Sequence, residues 1–336
     1  MKLLNTIDLM DIAFNKAYDE DNVYFRMDSS IIAIESASGK LLWEYAIEYA
    51  SPVGTHLIWV FDECIVYGAI DRSTGHQVFG LLNKNGEELK VIKTPHRIYN
   101  KGINNKEEQT LSFVSLHTEH NTRYYCVFNP QSGAINEIKK IENTVEFPFF
   151  ENENLLFGGS DGVFLVRQDS IEKVYDKNIL HVVHFEDQTW IVEALEDSSM
   201  FGIKKWNQTN DLIFSFENEA LQKSTFSNIQ VFEDKMYITL GDGGGMNCYD
   251  LTTGKLRWQF GKDKMTINSY TITQNQVFVV AETLEADLQI SIIDAMNGSL
   301  IDKVDTDIEP EYITHINDNI YLSGLLGMQV YTLATV

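Results

Sequence analysis

Residues 250–260 read DLTTGKLRWQF and residues 35–45 read ESASGKLLWEY, so Gly, Lys, Leu, Trp and a closing aromatic recur at one spacing. A shorter form of the same frame returns as NPQSG at 129–133 and as DAMNG at 294–298, with a degenerate copy at 83–86. It consists of an Asp, Glu or Asn, two variable residues, a Thr, Ser or Asn, and then Gly. The turn glycines fall at 39, 86, 133, 254 and 298, in steps of 47, 47, 121 and 44 residues. The long step corresponds to about three periods of ~40 residues, which leaves two hidden copies. Their expected places are the turn near Asp169 and Ser170 and the turn at 207–211, where the glycine is not kept.

Around each glycine, apolar and polar residues alternate over short runs and helical spacings are scarce, the pattern of strands. In the unit of Gly254 the runs are NIQVFED, KMYITLG, MNCYDL and KLRWQF, a four-stranded meander. The turn glycine permits the positive φ of a tight hairpin, and the Trp gives the fourth strand a large face to pack on a neighbouring sheet. Repeats of this kind predict an all-β fold, a β-propeller whose sheets radiate about a channel. Seven third-to-fourth-strand turns are assigned, after which the C-terminus offers only three runs, EYITHIND, NIYLSGL and MQVYTL. Residues 3–9 supply the missing fourth. The expectation is eight four-stranded blades in one domain over 1–336, the last closed by the N-terminal strand. The alternative is seven blades, with Leu3, Leu4, Ile7 and Met10 on one face of a short plugging helix.

With 336 residues, 44% of them hydrophobic and 12% aromatic, the chain has the composition of an ordered globular protein. Its 26 Lys and Arg against 49 Asp and Glu leave a net charge of −23. That balance repels phosphate backbones and anionic lipid, so neither nucleic acid nor a membrane surface is expected as a partner. No apolar run is long enough to predict a transmembrane helix, and Asn5, Thr6, Asp8 and Asp11 interrupt the apolar stretch that an export signal needs. Cys64, Cys126 and Cys248 are odd in number and set in strand-like contexts. They are expected as buried thiols in a reducing compartment, the cytoplasm.

The frame D-x-x-T-G-K-x-x-W, seen as Asp250, Thr253, Gly254, Lys255 and Trp258 and again as Glu35, Ser38, Gly39, Lys40 and Trp43, resembles the PQQ-like (quinoprotein-type) repeat. The resemblance implies a propeller over the whole chain. It admits quinone-dependent dehydrogenases and also non-enzymatic scaffolds, such as the propeller lipoprotein of the outer-membrane assembly machinery. The dehydrogenase branch implies export, an adjacent Cys-Cys pair and a carboxylate-bound Ca²⁺, and no two cysteines are adjacent here. PQQ is therefore not expected, nor is any other cofactor. Gly39, Trp43, Gly254 and Trp258 are assigned to the packing of the repeat.

Other chemistry is weaker. His181 and His184 in HVVH would point to opposite faces of a strand, which does not suit chelation. His117 and His120 flank a loop tip with Glu119 (LHTEHNTR) and are read as solvated loop histidines, so no metal is expected. GDGGG at 241–245 lacks the Lys-Ser/Thr ending of a phosphate loop and is read as a hairpin loop. What stands out is the acids of the loops between second and third strands, which in a propeller open on one face: Asp28, Asp71, Glu119, Asp161, Glu196 with Asp197, Asp242, and Glu285 with Asp287. A surface rich in acids would give the same count without function. The expected function is a non-catalytic propeller that binds a basic protein, for instance an immunity or inhibitor protein masking a cationic toxin. The alternative is a propeller hydrolase or lyase with a His/carboxylate site at the channel mouth.

Overall fold

The computed structural model describes residues 1–9, 11–13, 15–49, 57–98, 102–141, 147–151, 154–167, 171–185, 188–195, 200–206, 212–217, 229–240 and 243–333. Among them every regular element is a β-strand, and the strands form eight antiparallel sheets, the blades of a β-propeller. No helix among the described residues is long and apolar enough to cross a membrane.

The chain divides into two compact units, Met1–Pro148 with Ile316–Val336, and Phe149–His315. In the first unit, blade 1 is Asn15–Tyr18, Asn22–Arg26, Ser30–Glu35 and Leu41–Ala46. Blade 2 is Ile58–Val60, Ile65–Ile70, Gln77–Leu82 and Glu88–Thr94. Blade 3 opens with a divided strand, His96–Ile98 and Ile103–Asn105, both paired to Thr110–His117, and continues with Thr122–Asn129 and Ala134–Ile141. In the second unit, blade 4 is Phe147–Glu151, Asn154–Gly159, Gly162–Val166 and Ile171–Tyr175, and blade 5 is Ile179–Phe185, Gln188–Ala194, Met200–Lys205 and Leu212–Glu217. Blade 6 is Ile229–Phe232, Lys235–Leu240, Gly245–Asp250 and Leu256–Phe260, and blade 7 is Met265–Ile272, Gln276–Thr283, Leu288–Asp294 and Leu300–Val304. The eighth sheet takes Pro310–Ile316, Asn319–Gly324 and Gly327–Thr332 and is completed by Lys2–Ile7.

The N-terminus is thus a strand and not the alternative short helix. It pairs Leu3 with Tyr331 and Ile7 with Met328, with a bulge between Leu3 and Asn5. Burial of Ile7 and Leu9 beside Met328 and Val330 ties it to the core.

Successive side chains of a strand point to opposite faces, and here both faces of the middle strands are covered. Val23, Phe25, Ile32 and Ile34 of blade 1 pack in one cluster with Tyr321, Met328 and Val330. The intervening Tyr24, Ile31 and Ala33 pack in another with Ile65, Tyr67 and Val78 of blade 2. Blade 6 repeats the arrangement: Met236 and Ile238 join Trp190 and Val192 of blade 5, while Tyr237, Met246 and Cys248 join Val277, Val279 and Ala281 of blade 7. In the fourth strand of blade 1, Leu41–Ala46, half-buried and exposed positions alternate.

The repeat frame has a physical reading. Its first residue caps the turn: Asp250 Oδ1 accepts from the Thr252 and Thr253 amides, and Asp294 Oδ1 accepts from those of Met296 and Asn297. Its glycine closes the turn at positive φ, +73° at Gly298 and +82° at Gly86, and a second constraint comes from the preceding blade. A β-carbon at Gly298 would lie 2.7 Å from Trp258, and one at Gly86 would lie 2.6 Å from Trp43. Each indole also donates to a carbonyl of the turn it supports, Trp258 to Ala295 at 3.2 Å and Trp43 to Lys84 at 3.0 Å. The two tryptophans therefore contact the hairpin of the next blade. The glycine-free turns expected near Asp169 and Ser170 and at 207–211 lie outside the described residues.

Candidate functional site

Among the described residues, the acids Asp28, Asp71, Glu119, Asp161, Glu285 and Asp287 lie between second and third strands. In the first unit, Asp28 is exposed in the loop that follows Asn22–Arg26. Arg26, wholly buried, braces that loop by donating from Nη1 to the Asp28 carbonyl at 3.0 Å and toward that of Ser30 at 3.4 Å. Its Nε and Nη2 have no hydrogen-bond partner, and burial pulls its pKa down to about 10 against the pull of Tyr67, Asp28 and Asp11.

Asp71 is different. The stretch DRSTG at 71–75 is another copy of the turn frame, now in a second-to-third loop, and Asp71 Oδ1 accepts from the Ser73 amide and hydroxyl. Its Oδ2 lies 2.7 Å from Lys93 Nζ on the fourth strand of the same blade. The lysine and serine donors hold this carboxyl well below the usual range. Asp71, 7% exposed, is thereby committed to its own blade.

Glu119 is exposed, with His76 Nε2 of the neighbouring loop 4.0 Å from its Oε1. In the second unit, Asp161, Glu285 and Asp287 are exposed in their loops. Glu196, Asp197 and Asp242 lie outside the described residues. The eighth loop carries no acid; it presents Leu325 and Leu326, both exposed, and Leu284 is exposed beside Glu285.

Blade 3 brings together more than the sequence indicated. His117, expected as a solvated loop histidine, ends the second strand and is buried, while His120 is exposed as expected. His96 lies directly opposite His117 in the antiparallel ladder, and the rings meet edge to face at 4.9 Å. His120 stacks on His117 at 4.5 Å. Across the face of the blade, His96, Ser115, Cys126 and Glu137 stand in line, one from each strand: Ser115 Oγ is 3.0 Å from His96 Nδ1 and 3.3 Å from Cys126 Sγ, and Glu137 is the register partner of Cys126. The far nitrogen of His96, Nε2, lies 2.8 Å from Glu137 Oε1. Burial pulls the His96 pKa below its ordinary value despite the attraction of Glu137. His117 Nδ1 is buried without a hydrogen-bond partner. One donor atom each from His96, His117 and Glu137 lie within 4.8 Å of one another, and the same holds for His117, Glu119 and His120. The HTEH segment was visible in the sequence, whereas His96 and Glu137 join it only through strand register.

Two further readings concern buried groups. In the second unit Lys204 Nζ lies 3.2 Å from Glu193 Oε2, which also accepts from the Tyr175 hydroxyl at 2.5 Å, and burial raises the Glu193 pKa. This polar link joins blades 4 and 5. His181 lies in strand Ile179–Phe185 with His184, and the side chain of His184 is outside the described set.

All three cysteines are free and buried, and burial pushes the thiols of Cys126 and Cys248 up to about 11 and about 12 and raises that of Cys64. A thiol that is neither ionised nor accessible is inert. Native protein at pH 8 is expected to resist alkylation by iodoacetamide at all three positions, and the unfolded chain to react at all three. Rapid native labelling of any one, read by mass spectrometry, would contradict this.

No protein-family model matches the chain, and none of the curated proteins matches it. Solved structures do. The chain is similar to the computationally designed Ika8 protein over 99% of its own length and 100% of the other, with a TM-score of 0.67 at 13% identity. BamB from Moraxella catarrhalis matches with a TM-score of 0.63 at 14% identity, over 98% of this chain and 100% of that one. The C-terminal WD40 domain of Sif2 matches with a TM-score of 0.63 at 15% identity, over 99% of each chain. At such identities the likeness shows the β-propeller fold and nothing finer.

Proposed function

We propose that this propeller is a non-catalytic protein-binding module whose second-to-third-strand loops receive a basic protein. One concrete form is an immunity or inhibitor protein that covers a cationic toxin in the cytoplasm, a location that suits three unpaired buried thiols. The observation that carries the reading is the return of exposed carboxylates in the same loop of four blades, at Asp28 and Glu119 in the first unit and at Asp161, Glu285 and Asp287 in the second, in a chain of net charge −23. Exposed Leu325 and Leu326 in the first unit, and Leu284 beside Glu285 in the second, offer each unit the apolar contact that an interface needs beside its polar rim. The PQQ-like reading of the repeat is supported by the two Trp–Gly contacts between adjacent blades.

The test is capture of partners by the tagged chain at low and at high salt, set beside a variant with Asp28, Asp161 and Asp287 changed to Asn and Glu119 and Glu285 to Gln. The expected partner is basic, is released by salt, and is captured less by the variant. An acidic partner, or equal capture by the variant, would overturn the proposal.

A second reading, a hydrolase or lyase, is favoured by one observation, the buried His96 and His117 beside Glu119 and Glu137. Turnover in a screen of hydrolase and lyase substrates that is lost in His117→Ala would select it over the binder.

A further inference from the structure

We propose that blade 3 holds one divalent transition-metal ion of the zinc type, bound by His96, His117 and Glu137, with Glu119 and His120 of the adjoining loop within reach of the same imidazole. The proposal stands apart from the protein-binding reading and from the sequence, which led to no metal being expected. Two imidazoles and a carboxylate are the donor set that zinc and its neighbours prefer, whereas Ca²⁺ and Mg²⁺ take mostly oxygen.

The positions are set by the sheet. His96 and His117 are register partners on adjacent strands, so their side chains share a face. The Ser115 hydroxyl engages His96 Nδ1 at 3.0 Å and thereby turns Nε2 toward Glu137. An outer hydroxyl or carbonyl that orients the far side of the ring is the usual support of a ligating histidine. A simple His–Glu hydrogen bond would account for His96 and Glu137 alone. It leaves His117 Nδ1 buried with no partner, an unmet polar atom that a metal bond through that nitrogen would satisfy. Donors of a tetrahedral zinc lie about 3.4 Å apart; here they lie within 4.8 Å of one another and His96 Nε2 is 2.8 Å from Glu137 Oε1, so shifts of about 1 Å, opening that pair and drawing in His117, fit the ion.

The test uses the whole chain without a histidine tag, stripped with chelator and dialysed against Zn²⁺. One Zn²⁺ per chain is expected to remain, unaffected by excess Ca²⁺ or Mg²⁺, and Co²⁺ in its place is expected to show the visible bands of low-coordinate cobalt. Ser115→Ala should weaken binding about tenfold or more by freeing the His96 ring, and His117→Ala and Glu137→Gln should weaken it further. Because truncating buried His117 also perturbs the fold, Glu137→Gln, at a half-exposed carboxylate, carries the decision. A chain that retains no Zn²⁺, or Zn²⁺ binding undiminished in folded Glu137→Gln, would overturn the site.

Discussion

A chain lacking residues 1–9 is expected to melt about 5–10 °C below the full chain, a loss of about 3–6 kcal/mol. The estimate rests on Ile7 and Leu9, both buried among Phe25, Ile34, Met328 and Val330, each contributing about 1.5–3 kcal/mol on burial. Removing the strand also strips Gly327–Thr332 of its outer partner and leaves that strand as an open sheet edge, a template for aggregation. Two smaller ties go with it, since Asn5 Nδ2 donates to the Gly39 carbonyl at 3.0 Å and Leu4 packs on the same core. Against a typical total stability of about 5–15 kcal/mol, the loss is large. Calorimetry on both chains decides the matter: an unchanged melting temperature would mean that the strand adds nothing to the fold.

Trp258→Ala is expected to cost about 3–5 kcal/mol, the usual range for a buried tryptophan. Trp258 is 6% exposed, meets the Tyr237 ring at 5.8 Å, and spends its indole N–H on the turn of blade 7. Gly298→Ala in the native background combines two penalties, about 1–2 kcal/mol for a side chain in the left-handed region and the overlap of its β-carbon with the Trp258 ring. In the Trp258→Ala background only the first should remain, so the two substitutions are expected to cost less together than the sum of their separate costs. Strict additivity in urea denaturation would show that the indole does not support the hairpin. Trp43 and Gly86 should repeat the result at lower amplitude, since Trp43 is only half-buried.

These two pairs also explain why the fold was legible. An Asp or Asn that caps a turn, a glycine at positive φ and a Trp four residues later are all local, so the sequence displays them without any knowledge of tertiary contacts. The closing strand could be placed because the C-terminal repeat was one run short. The blade-3 site had no such local mark. His96 and His117 are opposed because an interrupted hairpin sets their register, and Glu137 reaches His96 from three strands away in the same sheet. Asp71 shows the converse limit, for nothing local to DRSTG announces that Lys93, on the outer strand, occupies its carboxylate. Loop position was readable, and the partner of each loop side chain was not.

The protein-binding account is tested most directly by the association rate of the captured partner, measured by stopped flow across ionic strength. Rim charges act mainly on encounter, and screening over a Debye length of about 8 Å at physiological salt weakens them. The account predicts a rate that falls steeply as salt rises, and a flatter, slower profile for the variant neutralised at Asp28, Glu119, Asp161, Glu285 and Asp287. A rate indifferent to salt, or identical profiles for the two proteins, would contradict it.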